Sequence, residues 1–123
     1  MKFMLILKAT RDSEAGKMPS EESINAMVKY NQEQAQAGVL LDAAGLYPSS
    51  TGARVNVSAD GKKTIIDGPF TESKELVAGY WLIQVKSLEE AVEWANRAPI
   101  VKGQESQIEV RQFIEFDFPP SEG

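Results

Sequence analysis

The chain has 123 residues, 42% hydrophobic and 25% charged, the size and make-up of one globular domain rather than of a disordered or fibrous segment. Its 13 basic and 18 acidic residues leave a net charge of −5, which disfavours nucleic-acid phosphates and anionic membranes as partners. Cysteine and histidine are both absent, which removes disulfides, thiolate chemistry, Ser-His and Cys-His nucleophiles and the commonest metal ligand.

Taken in order, Lys2 to Lys8 reads as a strand, with Phe3, Leu5 and Leu7 alternating against Met4 and Ile6, so both of its faces need cover. The apolar run Phe3–Leu7 is too short for a signal-peptide core or a bilayer span, so a cytoplasmic protein is expected. Ala9 to Met18 is polar and reads as a loop. Ser20 then caps a helix whose first turn carries Glu21 and Glu22 and which ends at Gly38. Its predicted buried stripe is Ile24, Met27, Val28, Asn31 and Ala35. Asn31 is the polar member of that stripe, either facing a site or, as a partly buried amide, bonded to backbone.

Val39 to Tyr47 reads as a second strand with small residues Ala43, Ala44 and Gly45, which permit close approach of a ligand or backbone. Arg54–Ser58 and Lys63–Ile66 flank Ala59-Asp60-Gly61-Lys62, the pattern of a hairpin. Tyr80 to Val85 is a further strand, apolar on both faces. Ser87 and Glu90 form a capping box that opens a second helix with Leu88, Ala91, Val92 and Ala95 on its inner stripe, ended by Pro99. The last strand runs from Gln107 to Phe116, residues 1–118 form the single domain, and residues 119–123 are expected to be a disordered tail.

Between hairpin and strand lies the densest local signal, Asp67-Gly68-Pro69-Phe70-Thr71-Glu72-Ser73-Lys74-Glu75. Pro69 fixes its own φ, restricts Gly68 and breaks the chain away from the sheet. Because Pro69 has no N–H, the Asp67 carboxylate is left to accept from Phe70 or Thr71 N–H, or to meet a side chain or ligand. With its following Gly-Tyr strand this stretch resembles the signature of the DGPF branch of the YCII-related proteins, and the resemblance runs from Lys2 to about Glu115.

The order strand, helix, strand, hairpin, strand, helix, strand predicts an α+β, ferredoxin-like βαββαβ fold with an inserted β-hairpin. Two helices cover one face of such a sheet. The greasy second face therefore calls for another copy of the chain, a homodimer with sheets face to face. The resemblance implies the same, a dimeric α+β barrel with a cavity between or beside the sheets. It also implies a setting near extracytoplasmic-function sigma factors, so a noncatalytic dimeric accessory or regulatory module is the alternative to a small-molecule binder. The wider family's proposed catalytic pair is a histidine on the first helix and an aspartate before a proline after the second; here the first helix has no histidine and Ala98 precedes Pro99.

Without that pair, Asp67 and Asp42 are the candidate proton carriers, since a carboxylate in an apolar cavity titrates nearer neutrality. If the chain is an enzyme, it is then a carboxylate-based lyase or hydrolase. Candidate ligand contacts are Asp67, Gly68, Pro69, Phe70, Glu72, Lys74, Tyr80 and Arg111, the last through its bidentate fork. Tyr30, Arg54 and Trp81 stand near them in the expected fold. Calcium-type acidic loops, phosphate cradles and dinucleotide fingerprints are missing, so neither metal nor cofactor is expected.

Overall fold

The computed structural model describes residues 1–99 and 103–115. It is an α+β ferredoxin-like fold, with strands β1 (Lys2–Lys8), β2 (Leu40–Gly45), β5 (Val77–Gln84) and β6 (Ile108–Gln112) forming one antiparallel sheet in the order β2-β5-β1-β6. Helices α2 (Glu21–Gln36) and α3 (Leu88–Asn96) cross over between them. The hairpin strands β3 (Ala53–Val57) and β4 (Lys63–Asp67) make a separate two-stranded sheet. The expected tail at 119–123 lies outside the described residues.

Alternation in the strands sorts the sheet into two faces. Phe3 pairs with Ile83 and Leu5 with Trp81, and this row, extended by Val110 and Ala43, lies against α2 and α3 in the core. Phe3, Leu5 and Ile83 are fully buried there. Such burial stabilises by about 1.5–3 kcal/mol for each large apolar side chain. The opposite face carries Met4, Ile6, Tyr80 and Leu82 along its middle, with Asp42 on one margin and Glu109 and Arg111 on the other. Both long helices lie on the first face.

Tyr30 ties the two helices to the sheet. Its ring meets Trp81 edge to face at 5.3 Å and tilts against Trp94 at 6.5 Å, while its hydroxyl donates to the Trp94 carbonyl at 2.6 Å. Burial pushes its pKa up to about 12, with the Arg97 charge opposing the shift. Tyr30 is therefore a core residue and not the site residue that sequence suggests. The same packing turns α2 away from the predicted stripe. Tyr30 and Gln34 are buried, with Met27 and Asn31 half-buried beside them, whereas Ile24 (43% exposed), Val28 (50%) and Ala35 face outward. On α3 Trp94 similarly takes the inner position, leaving Leu88 and Val92 exposed.

Four local boundaries also differ from expectation. The Ala9–Met18 segment contains a short helix, α1 (Arg11–Glu14), because Thr10 and Ser13 cap one another reciprocally. Ser87 accepts from Glu90 N–H, but the Glu90 carboxylate reaches back to Lys86 N–H at 3.0 Å, one residue before the cap. β5 begins earlier, at Val77, and β6 ends at Gln112 rather than Phe116, which lies outside the described residues. Ser20 and Gly38 behave as expected: Ser20 Oγ accepts from Ser23 N–H, and Gly38 closes α2 at φ 74°, the left-handed region open to glycine.

Gln34 is fully buried, and neither its Oε1 nor its Nε2 has a partner among the described residues. Replacing it by methionine keeps the length and removes two unpaired polar atoms. Gln34→Met is expected to raise stability by about 1–3 kcal/mol, and a lowered melting temperature would refute this. Tyr30→Phe keeps the rings and loses the buried hydroxyl bond, costing about 1 kcal/mol at neutral pH. Because the folded chain holds the Tyr30 proton to higher pH than the unfolded chain, native stability falls as pH rises from 10 towards 12. The gap between wild type and Tyr30→Phe in urea denaturation should narrow, and then reverse, across that window.

Candidate functional site

The signature loop leaves the end of β4 through a cis Gly68–Pro69 peptide bond. Gly68 N–H donates to the Gly52 carbonyl at 2.9 Å, and a Cβ on Gly68 would overlap the Ser49 carbonyl, so only glycine fits. Phe70 N–H donates to Ser49 Oγ at 3.0 Å. The Ser49 hydroxyl in turn donates to Glu14 Oε1 at 2.5 Å, and Ser49 N–H donates to Glu14 Oε2 at 2.8 Å. The Arg54 guanidinium sits 3.8 Å from the centroid of the Phe70 ring. Glu14 on α1, the turn Ser49–Thr51 and the loop are thereby held together through one half-buried serine, and β3 joins them through Arg54 on Phe70.

Around this latch the predicted residues scatter. Asp67 ends β4 opposite Ala53, exposed, and its carboxylate makes no hydrogen bond among the described residues, since the Phe70 amide is taken by Ser49. Glu72 is exposed, and Lys74, in the turn Ser73–Glu75, pairs with exposed Glu105 at 3.7 Å rather than with Asp67. Arg111 stands on the β6 edge and bonds Glu109 of its own strand at 3.2 Å. Asp42 lies on the opposite edge strand, accepting from Ala43 N–H at 2.9 Å and from the Tyr80 hydroxyl at 3.2 Å. That bond raises the Tyr80 pKa. Asp42 and Tyr80 are thus neighbours, while Asp67, Lys74 and Arg111 occupy three separate places. Asp67 and Asp42 are both exposed in the chain.

Lys74 borders a hollow of about 170 Å³ together with Lys8, Ala9 and Gln107, and two larger hollows lie where β5 begins and α2 passes over the sheet end. A hollow of about 250 Å³ is lined by Leu7, Ala43, Ala44, Gly45, Ala78 and Gly79, together with Met27, Asn31, Tyr80 and Trp81. A second, of about 380 Å³, shares Leu7, Met27, Ala78 and Trp81 with it and extends past Lys17, Ser20 and Ser23 to Pro99 and Gln104. Gly79 is small because the Ala44 carbonyl of the paired strand fills the place of a Cβ, which would come to 2.7 Å of it. Asn31 has Oδ1 fixed by Trp81 Nε1–H at 2.7 Å, so its partner is a side chain and not the backbone group expected.

The model of the YCII-related domain matches residues 1–117. The chain belongs to the YCII-related family. It is also 32% identical over 95 residues to an uncharacterized protein of Rhizobium meliloti (strain 1021), an alignment covering 77% of this chain and 76% of that protein. Ala98 is buried beside Pro99, which lines the larger hollow.

Among the described residues no cluster of three or more metal-ligating side chains occurs, and no helix is long and apolar enough to cross a membrane. Sequence reasoning missed Glu14 and Ser49, which sat in segments treated as loop. The available signal was the Thr10/Ser13 capping pair, which places Glu14 on a helix. Ser49→Ala removes both the Phe70 and the Glu14 hydroxyl bonds and should cost about 1–3 kcal/mol. Hydrogen exchange should then rise at the Phe70 and Gly68 amides while the Phe3, Leu5 and Ile83 amides stay protected; unchanged exchange at Phe70 would deny Ser49 its latching role.

Proposed function

We propose that this YCII-related protein is a homodimer that binds a small molecule in the paired hollows at the start of β5, directly after the Asp67-Gly68-Pro69-Phe70 loop. The observation that carries the reading is the hollow of about 250 Å³ that Ala43 to Gly45, Ala78 and Gly79 line beside Trp81 and Asn31. Ligand sites are concave, mostly apolar and supplied with a few fixed polar groups, and this cleft has that composition. The latch at Ser49 holds the loop at Phe70, and the turn Ser73–Glu75 separates it from β5.

The dimer follows from the second sheet face. Met4, Ile6, Tyr80 and Leu82 form a continuous apolar band there, flanked by Asp42 and by Arg111 with Glu109. Apolar centres with polar rims are the anatomy of association surfaces, and a twofold contact lays one such band on its own copy. An interface of standard size, about 800 Å² on each partner, covers a sheet face of this extent.

Sedimentation velocity at micromolar concentration should return a species of about twice 13.5 kDa, and Leu82→Asp should convert it to monomer. A wild-type chain sedimenting only at monomer mass would overturn the dimer. Thermal shift and crystal soaking with small phenols, lactones, amines and carboxylates test the cleft. Density or stabilisation from any of these at Ala43–Gly45 supports it, and none from all four classes removes it.

A further inference from the structure

We infer that Asn31 is a ligand contact whose side-chain amide donates to the carboxylate of a compact organic acid with an apolar body. This rests on the reading of the cleft as the ligand site and adds the chemical class of its occupant. The reasoning begins with Trp81. An indole N–H donates and cannot accept, so the 2.7 Å bond from Trp81 Nε1 determines which end of the Asn31 amide it meets: the oxygen. Nδ2, with two N–H groups, is then the free end. It donates no hydrogen bond among the described residues, and Asn31 lines the smaller hollow. Trp81 is itself buried and held edge to face by Tyr30, so the amide cannot turn over without losing that bond.

In the adjoining hollow the one lining carboxylate, Asp12, is engaged by Lys17 at 3.4 Å and by Gln104 Nε2 at 2.5 Å, and the other lining cation, Lys8, pairs with Glu109 at 3.9 Å. The donor left for an occupant of the smaller hollow is the Asn31 amide. The other walls, Leu7, Met27, Ala78 and Trp81, are apolar. An acceptor-bearing anion on a short hydrocarbon body satisfies both parts, whereas an amine would set donor against donor.

Three probes of one shape separate the possibilities: cyclohexanecarboxylate, cyclohexylmethanol and cyclohexylmethylamine, each titrated into the full chain while the Asn31 side-chain N–H₂ resonances are followed by NMR. The carboxylate should bind most tightly and shift those resonances. Asn31→Asp keeps the shape and the acceptor for Trp81 but replaces the free donor by an oxygen. It should weaken the carboxylate by roughly tenfold to a hundredfold and strengthen the amine, a reversal that a packing role for Asn31 would not produce. Equal affinity for carboxylate and alcohol, or an Asn31→Asp chain that binds the carboxylate unchanged, overturns the inference and leaves the cleft as a binding site. Failure of all three probes to perturb any cleft resonance overturns the inference, and the cleft itself falls only if the phenols and lactones fail as well.

Discussion

The structure depends on one buried tyrosine. Tyr30 is carried by α2, bonds the backbone of α3 and lies against Trp81 of the sheet, so three elements share a single side chain. In a domain of this size the core is one layer deep, and helix rotation is set by whichever side chain reaches furthest into it. Fixing Tyr30 fixes the angle of α2, which places Met27 and Asn31 over the sheet end and leaves the apolar pair Ile24 and Val28 outside. The cleft is therefore a by-product of how the aromatic cluster seats the helix.

That rotation explains why some features were legible in the sequence and others were not. Element order, the hairpin, the Ser20 cap and the Gly38 stop are local decisions, written in turn chemistry and capping residues, and they appear where the sequence puts them. The inner face of α2 is a tertiary decision. Ile24, Val28 and Ala35 satisfy helical spacing as well as Tyr30 and Gln34 do, and only the two tryptophans across the core choose between them. Asn31 was conspicuous as a polar residue among apolar ones, but its partner Trp81 is fifty positions away and no spacing rule connects them. Glu14 and Ser49 are likewise joined across 35 positions.

The signature loop takes on a different meaning once its contacts are known. Its charged residues Asp67, Glu72 and Lys74 point outward, while its constrained atoms are the Gly68 and Phe70 amides. The dense motif is thus informative about how the hairpin joins the body, through backbone groups that composition alone cannot assign. Further along the same stretch lies the run from Ala78 to Trp81, where two small residues precede two large ones and the cleft floor meets the core.

The hairpin itself stands apart from all this. Every residue of β3 and β4 is exposed, including Ile65 at 72%, and its strands pair with each other and not with the main sheet. Among the described residues its hydrogen-bond and cation–π anchorage to the body lies at the base, through Arg54 on Phe70 and Gly68 on Gly52. An arm attached at one end is free in length: residues added in register on both strands would extend its reach without altering a bond of the four-stranded sheet, so its span and that of the domain beneath are separately adjustable.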